Sequence, residues 1–474
     1  MLAQTVSRRQ TLRRWRYGVG FLVRTGGGAN FLRRAKSPGG HFDNPTGTIY
    51  HALTMSVTAK NPAPLADLRV DGQRLWQSLE RFAEIGATAR GGCNRQALTD
   101  DDRVGRDQFA AWAKEAGCTT TVDAIGNLYV RRRGVEDASA PVMASSHLDT
   151  QATGGRFDGV YGVMAGLEVI RVLNEHRIET RHPIEVVSWT NEEGCRFVPA
   201  MLGSGTVAGT HELGFALERR DAEGRSVGEE LDRIGYRGQR PARPFPVHAA
   251  FEAHIEQGPI LERDGVTIGV VTGIQGLHWL DVVLTGVPCH AGPTPMEMRR
   301  DPWRAAAQII TGAMALAEAR TPWGRCTVGD VQCKPGARNT VPETLRIAID
   351  IRHPDGAVLE QMYGELRSLV AREAARAKVE SRIEPVWHMP PTSFAPRLVD
   401  LVEVTARRLG YTHERITSGA GHDSLNIARF APTTMIFVPC AGGLSHNEAE
   451  LADPKDLAAG ANVLLHAVLA VANE

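Results

Sequence analysis

Ala140-Pro141-Val142-Met143-Ala144-Ser145-Ser146-His147-Leu148-Asp149-Thr150 is the stretch that decides the fold: a short apolar run that ends on a histidine and a carboxylate. Beyond it, Gly162 to Leu173 is apolar at helical spacing, and Ile184 to Trp189 is again a short apolar run. Strand, helix and strand in this order, with Thr433 to Val438 preceding a helical pattern from Pro454 to Val471, give the βα alternation of a layered α/β domain. The expected architecture is a mixed sheet flanked by helices. In such an open sheet, ligands gather outside the strand ends, where His147 and Asp149 fall.

On the N-terminal side, Leu75, Leu79, Phe82 and Ile85 recur at helical spacing within Val70 to Ala87, and Asp101 to Ala116 repeats the pattern around Phe109 and Trp112. These segments are expected to be scaffold helices. Between about Val270 and Val386 the pattern changes to strand (Trp279 to Leu284), helix (Trp303 to Ala319), strands (Cys326 to Cys333 and Thr344 to Ile351), helix (Ala357 to Lys378) and strand (Glu380 to Val386). That order describes an α+β module inserted into the first domain, because α/β features resume after it. The expected division is a leader over 1–60, the layered domain over 65–269 and 387–474, and the inserted module over 270–386. The leader is set apart by Arg8, Arg9, Arg13, Arg14, Arg16, Arg24, Arg33, Arg34 and Lys36, and by the absence of Asp or Glu in its first forty residues. Two readings of it stay open: a targeting segment, or an unstructured extension upstream of a start at Met55.

Composition narrows the class of function. Lys plus Arg equals Asp plus Glu at 54 each among 474 residues, so no global charge draws the chain to nucleic acid or an acidic membrane. No run approaches the ~18 apolar residues of a membrane helix. The 7 cysteines are odd in number and form no CxxC pair, which fits a reducing, cytoplasmic compartment better than a disulfide framework. Small-molecule chemistry is the expectation that remains.

The chemistry-bearing residues cluster at strand ends. In extended chain, residues two apart share a face, so Asp149 is expected to sit beside His147 and fix its tautomer. Phe157-Asp158-Gly159 places a carboxylate in a glycine-flanked loop ahead of a helix, where it can bridge two metal ions. After the next strand, Asn191-Glu192-Glu193-Gly194 sets two carboxylates side by side, which repel unless a cation takes one or a proton is shared. One Glu as ligand and its neighbour as general base is the natural division of labour. His254, in Ala253-His254-Ile255-Glu256-Gln257, and His446, in Ser445-His446-Asn447-Glu448, complete two sites of nitrogen and oxygen donors. Such sets suit zinc, with manganese or cobalt as substitutes.

The strings SHLDTQATGGRFDGVYGVMAGLEV, WTNEEGCRF, HIEQGPILE, GVPCHAGPTPM, GARNTVPE, DIRHP, SGAGHDS and GLSHNEAE, in this order from about Leu68 to the C-terminus, resemble the dinuclear-metal amidohydrolases that cleave N-carbamoyl groups. That family comprises N-carbamoyl-L-amino-acid amidohydrolase, β-ureidopropionase and allantoate amidohydrolase. The resemblance implies two divalent ions per subunit, with His147 and His254 on one, Glu193 and His446 on the other, and Asp158 bridging. It implies Glu192 as general base and Asp149 as the residue that orients its neighbours. The inserted module would be the lid and dimerisation domain of a homodimer. From it His290 would reach the partner subunit's site to stabilise the oxyanion, while Asn339 and Arg352 hold the substrate carboxylate with Gln257 and the backbone of Gly419, Ala420 and Gly421. Arg352 suits a carboxylate because its planar fork accepts one bidentately. Without the resemblance, an ion pair with Asp350 or Asp355 is the preferred reading of Arg352, and a turn ahead of Pro293 is an equal reading of His290.

The implied reaction is hydrolysis of a ureido C–N bond of an N-carbamoyl amino acid, to the amino acid, ammonia and carbon dioxide. Within the family, Gln151 to Arg156 and Arg196 to Met201 look more like the β-ureidopropionase group than like the allantoate enzymes. Allantoate amidohydrolase, metallo-aminoacylase and dipeptidase are the competing activities. Gly203 to Gly209 only approximates a dinucleotide fingerprint, since its last glycine is one residue late. Cys195, close to Glu193, would have its thiol pKa raised, which makes it a packed thiol rather than a nucleophile.

Overall fold

The computed structural model describes residues 65–474. The basic leader and the question of a start at Met55 lie outside the described residues. The larger sheet runs, in spatial order, β1 (Thr119–Val122), β2 (Leu128–Arg132), β4 (Ile184–Trp189), β3 (Val142–His147), β5 (Ala249–Ile255), β15 (Thr433–Val438), β6 (Ile268–Ile274) and β13 (Thr392–Ser393), with β14 (His413–Ser418) also paired to β6. Strands β4, β3, β5 and β15 are mutually parallel, so their C-terminal ends lie along one edge of the sheet. The outer strands β1, β2 and β6 join antiparallel, which makes the sheet mixed.

Burial on both faces explains why the central strands read as continuous apolar runs: every residue of β3, β4, β5 and β15 is buried. One face is covered by the helices Gly72–Ala83, Val160–Glu175, Pro396–Arg408 and Pro454–Val471, which share its principal core. The opposite face carries a smaller cluster that includes Tyr129, Met143, Val187 and Trp189. Helix starts are set by side chains legible in the sequence. Asp71 accepts from the backbone N–H groups of Gln73 and Arg74, and Asp453 caps a helix whose first residue is Pro454.

A second sheet, of order β12 (Glu380–Met389), β7 (Gly276–Thr285), β11 (Thr344–His353) and β9 (Arg325–Lys334), is antiparallel throughout. Its alternate residues Leu280, Val282, Leu284, Leu345, Ile347 and Ile349 face the helices Pro302–Glu318 and Gly356–Ala377, and these form a core of their own. The chain passes from the large sheet to the small one between Ile274 and Gly276, and returns between Met389 and Thr392. A two-residue ribbon, β8 (Cys289–His290) against β10 (Thr340–Val341), stands beside the small sheet.

Candidate active site

The shared edge of the parallel strands assembles the cluster. His147 is the last residue of β3, Glu192 and Glu193 follow β4, His254 lies near the end of β5, and His446 follows β15. Asp158 enters from the loop ahead of the helix Val160–Glu175 and sits at the centre. Its Oδ1 is 3.5 Å from His147 Nε2 and 3.1 Å from His254 Nε2, while its Oδ2 is 3.4 Å from His446 Nε2. His446 Nε2 is in turn 3.2 Å from Glu193 Oε2. Two donor groups therefore share Asp158: His147 with His254, and Glu193 with His446, each drawn together within 4.8 Å.

The close approach of Asp158 depends on Gly159. Its φ is +66°, and a Cβ there would fall 2.3 Å from His147 Cε1, so only glycine leaves room for the imidazole. On the outer side, Glu450 accepts from the backbone N–H groups of Phe157 (2.8 Å) and Asp158 (3.1 Å) and from Ser445 Oγ (3.0 Å). Gln257 Nε2 donates to Asp158 Oδ2 at 2.8 Å, and Ser445 Oγ lies 3.0 Å from that oxygen as well as from Glu450, so its single proton is shared between the two carboxylates. Gln257 thus meets the central carboxylate, and its buried Oε1 has no partner among the described residues.

Asp149 differs from the sequence expectation in one respect. The group bonded to His147 Nδ1 is the backbone carbonyl of Asp149, at 2.9 Å, because the carboxylate is turned the other way. There it accepts from the backbone N–H groups of Glu192 (3.3 Å) and Glu193 (3.2 Å), fixing the loop that carries both glutamates. Glu193 is further held by Gln151, through its backbone N–H at 3.0 Å and its Nε2 at 2.8 Å.

The two buried imidazoles test whether a cation fits. His147 Nδ1 meets the Asp149 carbonyl, and His254 Nδ1 meets the Ile255 carbonyl at 2.9 Å, so both Nδ1 atoms are the donors. Each Nε2 then faces Asp158 Oδ1, where either a proton or a metal ion must lie between ring and carboxylate; with a proton there, burial opposes the charge but the neighbouring carboxylates outweigh it and push both rings above their ordinary values. The surrounding charge points the same way. Burial, the neighbouring carboxylate of Asp158 and other groups push Glu193 up to about 7, and burial with Asp423 and Glu193 nearby holds Glu192 well above the usual range. Burial works against ionisation of Asp158 too, but hydrogen bonds from His147, His254 and His446 outweigh it and hold that carboxyl well below its ordinary value. An imidazole–carboxylate set of this kind can hold divalent metal.

Arg352, Ala420 and Gly421 line the same cleft as His147, Glu192 and His446. Arg352 makes the ion pair that its residue type alone suggests, its Nε and Nη2 donating to Asp350, while its Nη1 donates to the Gly419 carbonyl at 2.8 Å. His290 and Asn339 are not among the cleft-lining residues. They lie together at the β8–β10 ribbon, where Ala291 N–H donates to the Asn339 carbonyl and His290 is exposed. Sequence reasoning also missed Glu450, Glu252 and His422. Glu252, fully buried on β5, accepts from Ser146 Oγ and Ser424 Oγ. His422 packs against His254 at 4.6 Å between ring centroids and is kept neutral by burial and by His254.

A family model described as peptidase family M20/M25/M40 matches residues 143–470. The chain belongs to this family. Among curated relatives, an N-carbamoyl-L-amino-acid amidohydrolase of Rhizobium meliloti is 48% identical over 86% of this chain and 99% of its own. One from Geobacillus stearothermophilus is 40% identical over 84% and 98%. An allantoate amidohydrolase of Bacillus subtilis is more distant, at 32% identity over 81% and 94%. Among solved structures, a hydantoinase/carbamoylase family amidase from Burkholderia multivorans superposes with a TM-score of 0.83 at 53% identity, over 86% of this chain and 99% of that one.

Proposed function

We propose that this family member is an amidohydrolase that cleaves the ureido C–N bond of an N-carbamoyl-L-amino acid, releasing the amino acid, ammonia and carbon dioxide. The observation that carries the reading is the pair of donor groups sharing Asp158, with Glu192 left free beside them. The similarity to N-carbamoyl-L-amino-acid amidohydrolases over nearly their whole length supports it.

His147, Asp158 and His254 would hold one divalent ion and Asp158, Glu193 and His446 a second, with zinc suited to the set and manganese or cobalt as substitutes. When bound, such ions acidify the attacking water and polarise the ureido carbonyl, whose carbon is otherwise a poor electrophile. Glu192 Oε2 lies 3.6 Å from His147 Nε2, and no described residue donates a hydrogen bond to its carboxylate. It is therefore free to take a proton from water and pass it to the departing nitrogen, which would otherwise leave as an unstable anion. Asp149 keeps Glu192 and Glu193 in place through their backbone N–H groups.

Arg352, Gln257 and the backbone from Gly419 to Gly421 receive the substrate carboxylate, with Asn339. Because His290 and Asn339 stand apart from their own cleft, we assign them to the site of a second copy, so the active unit is a homodimer in which residues 270–386 serve as lid and dimerisation module. His290 then donates to the developing oxyanion across the interface. All 7 cysteines are free, in keeping with a cytoplasmic enzyme.

The cleft wall bears on the side chain accepted. Trp279 and Trp387, 40% and 38% exposed, stand edge to face at 5.0 Å and line the cleft with Leu277, Met389 and Met201. An apolar wall of this kind offers nothing to the second ureido group of allantoate and has no side chain to bury in N-carbamoyl-β-alanine. It favours N-carbamoyl-α-amino acids with large apolar side chains. The test is a panel of N-carbamoyl-L-amino acids, N-carbamoyl-β-alanine, allantoate and N-acetyl-L-amino acids on metal-loaded protein. Preferred turnover of the N-acetyl compounds refutes the assignment in favour of an aminoacylase.

A further inference from the structure

The large apolar side chains of the cleft come from two directions. Leu277, Trp279, Trp387 and Met389 belong to strands β7 and β12 of the small sheet, whereas Met201 comes from the segment that follows Glu192 and Glu193 on the large sheet. Met201 is buried and lies in the left-handed region, with φ +52° and ψ +37°. A side chain is uncommon in that conformation, which persists only where the surroundings fix it.

Backbone contacts do so. Met201 N–H donates to the Glu192 carbonyl at 2.7 Å, and the join continues with Leu202 N–H to Asn191 (3.2 Å) and Gly203 N–H to Thr190 (2.9 Å). The Met201 carbonyl accepts from Gly205 N–H at 2.9 Å. Asn191, itself at φ +56°, closes the intervening excursion by donating from Nδ2 to the carbonyls of Phe197 (2.7 Å) and Pro199 (3.2 Å). Met201 thus has its backbone on the proposed base and its side chain in the cleft. That side chain ends beside Gly421, where a Cβ would fall 3.2 Å from Met201 Cε and 3.7 Å from its Sδ.

Met201 therefore spans the interval between Glu192 and the segment given to the substrate carboxylate. In an N-carbamoyl amino acid the α-carbon stands between the ureido nitrogen and the carboxylate, so the side chain departs from that same interval. The geometry points to Met201 as a specificity-determining residue for the substrate side chain, an assignment that rests on the function proposed above. Its flexible thioether packs against straight and γ-branched apolar side chains without demanding one shape. N-carbamoylglycine, which has no side chain, makes no such contact. Because the bond to Glu192 comes from the Met201 backbone, truncating the side chain removes the contact and spares that bond.

The test is steady-state kinetics on metal-loaded full chain with N-carbamoyl-L-methionine and N-carbamoylglycine, for the natural protein, Met201→Leu, Met201→Ala and Met201→Asn. One methylene in an apolar pocket changes kcat/KM by about 10–200-fold. The ratio of kcat/KM, methionine compound over glycine compound, should accordingly fall at least about tenfold in Met201→Ala, through KM rather than kcat. Any loss common to both substrates divides out. Met201→Leu, close in volume, should keep the ratio. Asn enters the left-handed region readily, so Met201→Asn keeps the backbone and should lower the ratio as Ala does. An unchanged ratio in Met201→Ala and Met201→Asn, or a fall of equal size in Met201→Leu, overturns the inference. Should Met201→Ala be inactive with both compounds, Met201→Asn decides alone; inactivity of both variants makes Met201 structural and overturns the inference as well. A natural protein that turns over neither compound overturns the proposed function and this assignment with it, a result distinct from an unchanged ratio.

Discussion

Replacing Glu192 by Gln separates the proposed base from the proposed ligand beside it. The change is isosteric and removes only the ability to take and return a proton. Nothing in the fold depends on the lost charge: the Glu192 carboxylate accepts no hydrogen bond from a described residue, and the backbone N–H that Asp149 holds is untouched. The charge is in fact crowded: burial and the carboxylates of Asp423, Glu193 and Asp158 outweigh the favourable His147 nearby and hold this carboxyl well above its ordinary value. The thermal midpoint of Glu192→Gln should therefore equal or exceed that of the natural protein, and metal content should not change. Positioned proton transfer contributes ~10²–10⁴-fold in rate, or about 2.7–5.4 kcal/mol of barrier. Steady-state assay with an N-carbamoyl-L-amino acid should show that loss in kcat with KM little moved. Glu193→Gln should behave differently, losing metal along with activity. A Glu192→Gln enzyme within tenfold of the natural kcat, at full metal content, refutes the role given to Glu192.

Glu450→Ala leaves the buried N–H groups of Phe157 and Asp158 without an acceptor, at about 1–3 kcal/mol each; urea denaturation should register the loss, and dialysis should show weaker metal retention. Gly159→Ala combines a positive φ, which strains other residues by about 1–3 kcal/mol, with a Cβ driven into the His147 ring; metal analysis should find the His147–His254 group impaired even in the fraction that folds. Chelation should abolish turnover and lower the thermal midpoint, since the carboxylates around Asp158 then face one another uncompensated, and zinc, manganese or cobalt should restore both. Mixing His290→Ala with Glu192→Gln subunits should regain activity if His290 serves the other copy's cleft; mixtures as inactive as the parents would place His290 outside the chemistry.

Most of the proposed ligands are legible because they follow from a one-dimensional signal. Apolar runs end on His147 and just before Glu192 and Glu193, and parallel strands bring such ends to one edge. His254 was harder, since it lies inside Ala249–Ile255, where Glu252 breaks the apolar run. That strand tolerates Glu252 because Ser146 and Ser424 satisfy its carboxylate, a long-range fact that periodicity cannot carry. Glu450 left a fainter trace: a carboxylate four residues after His446, on no apolar run, whose partners Phe157 and Asp158 are remote in sequence. The bond to His147 Nδ1 was misassigned because two-residue spacing says which face a side chain shares. It does not say whether the carboxylate or the carbonyl of Asp149 turns toward the ring.

Arg352 shows why residue-type reasoning stops short of a role. Its guanidinium is an ion-pair partner of Asp350 and a wall of the cleft at the same time, and the first fact explains the second. Asp350 and the Gly419 carbonyl fix the fork in place, so under the proposed function an incoming carboxylate would meet a donor whose orientation has already been set, with less side-chain entropy left to lose. The same economy holds at Asp158, whose position is determined by Glu450 on one side and by the absence of a side chain at Gly159 on the other. In both places the group that would touch substrate or metal is held by residues that touch neither, and these supporting residues are the part that the linear sequence conceals.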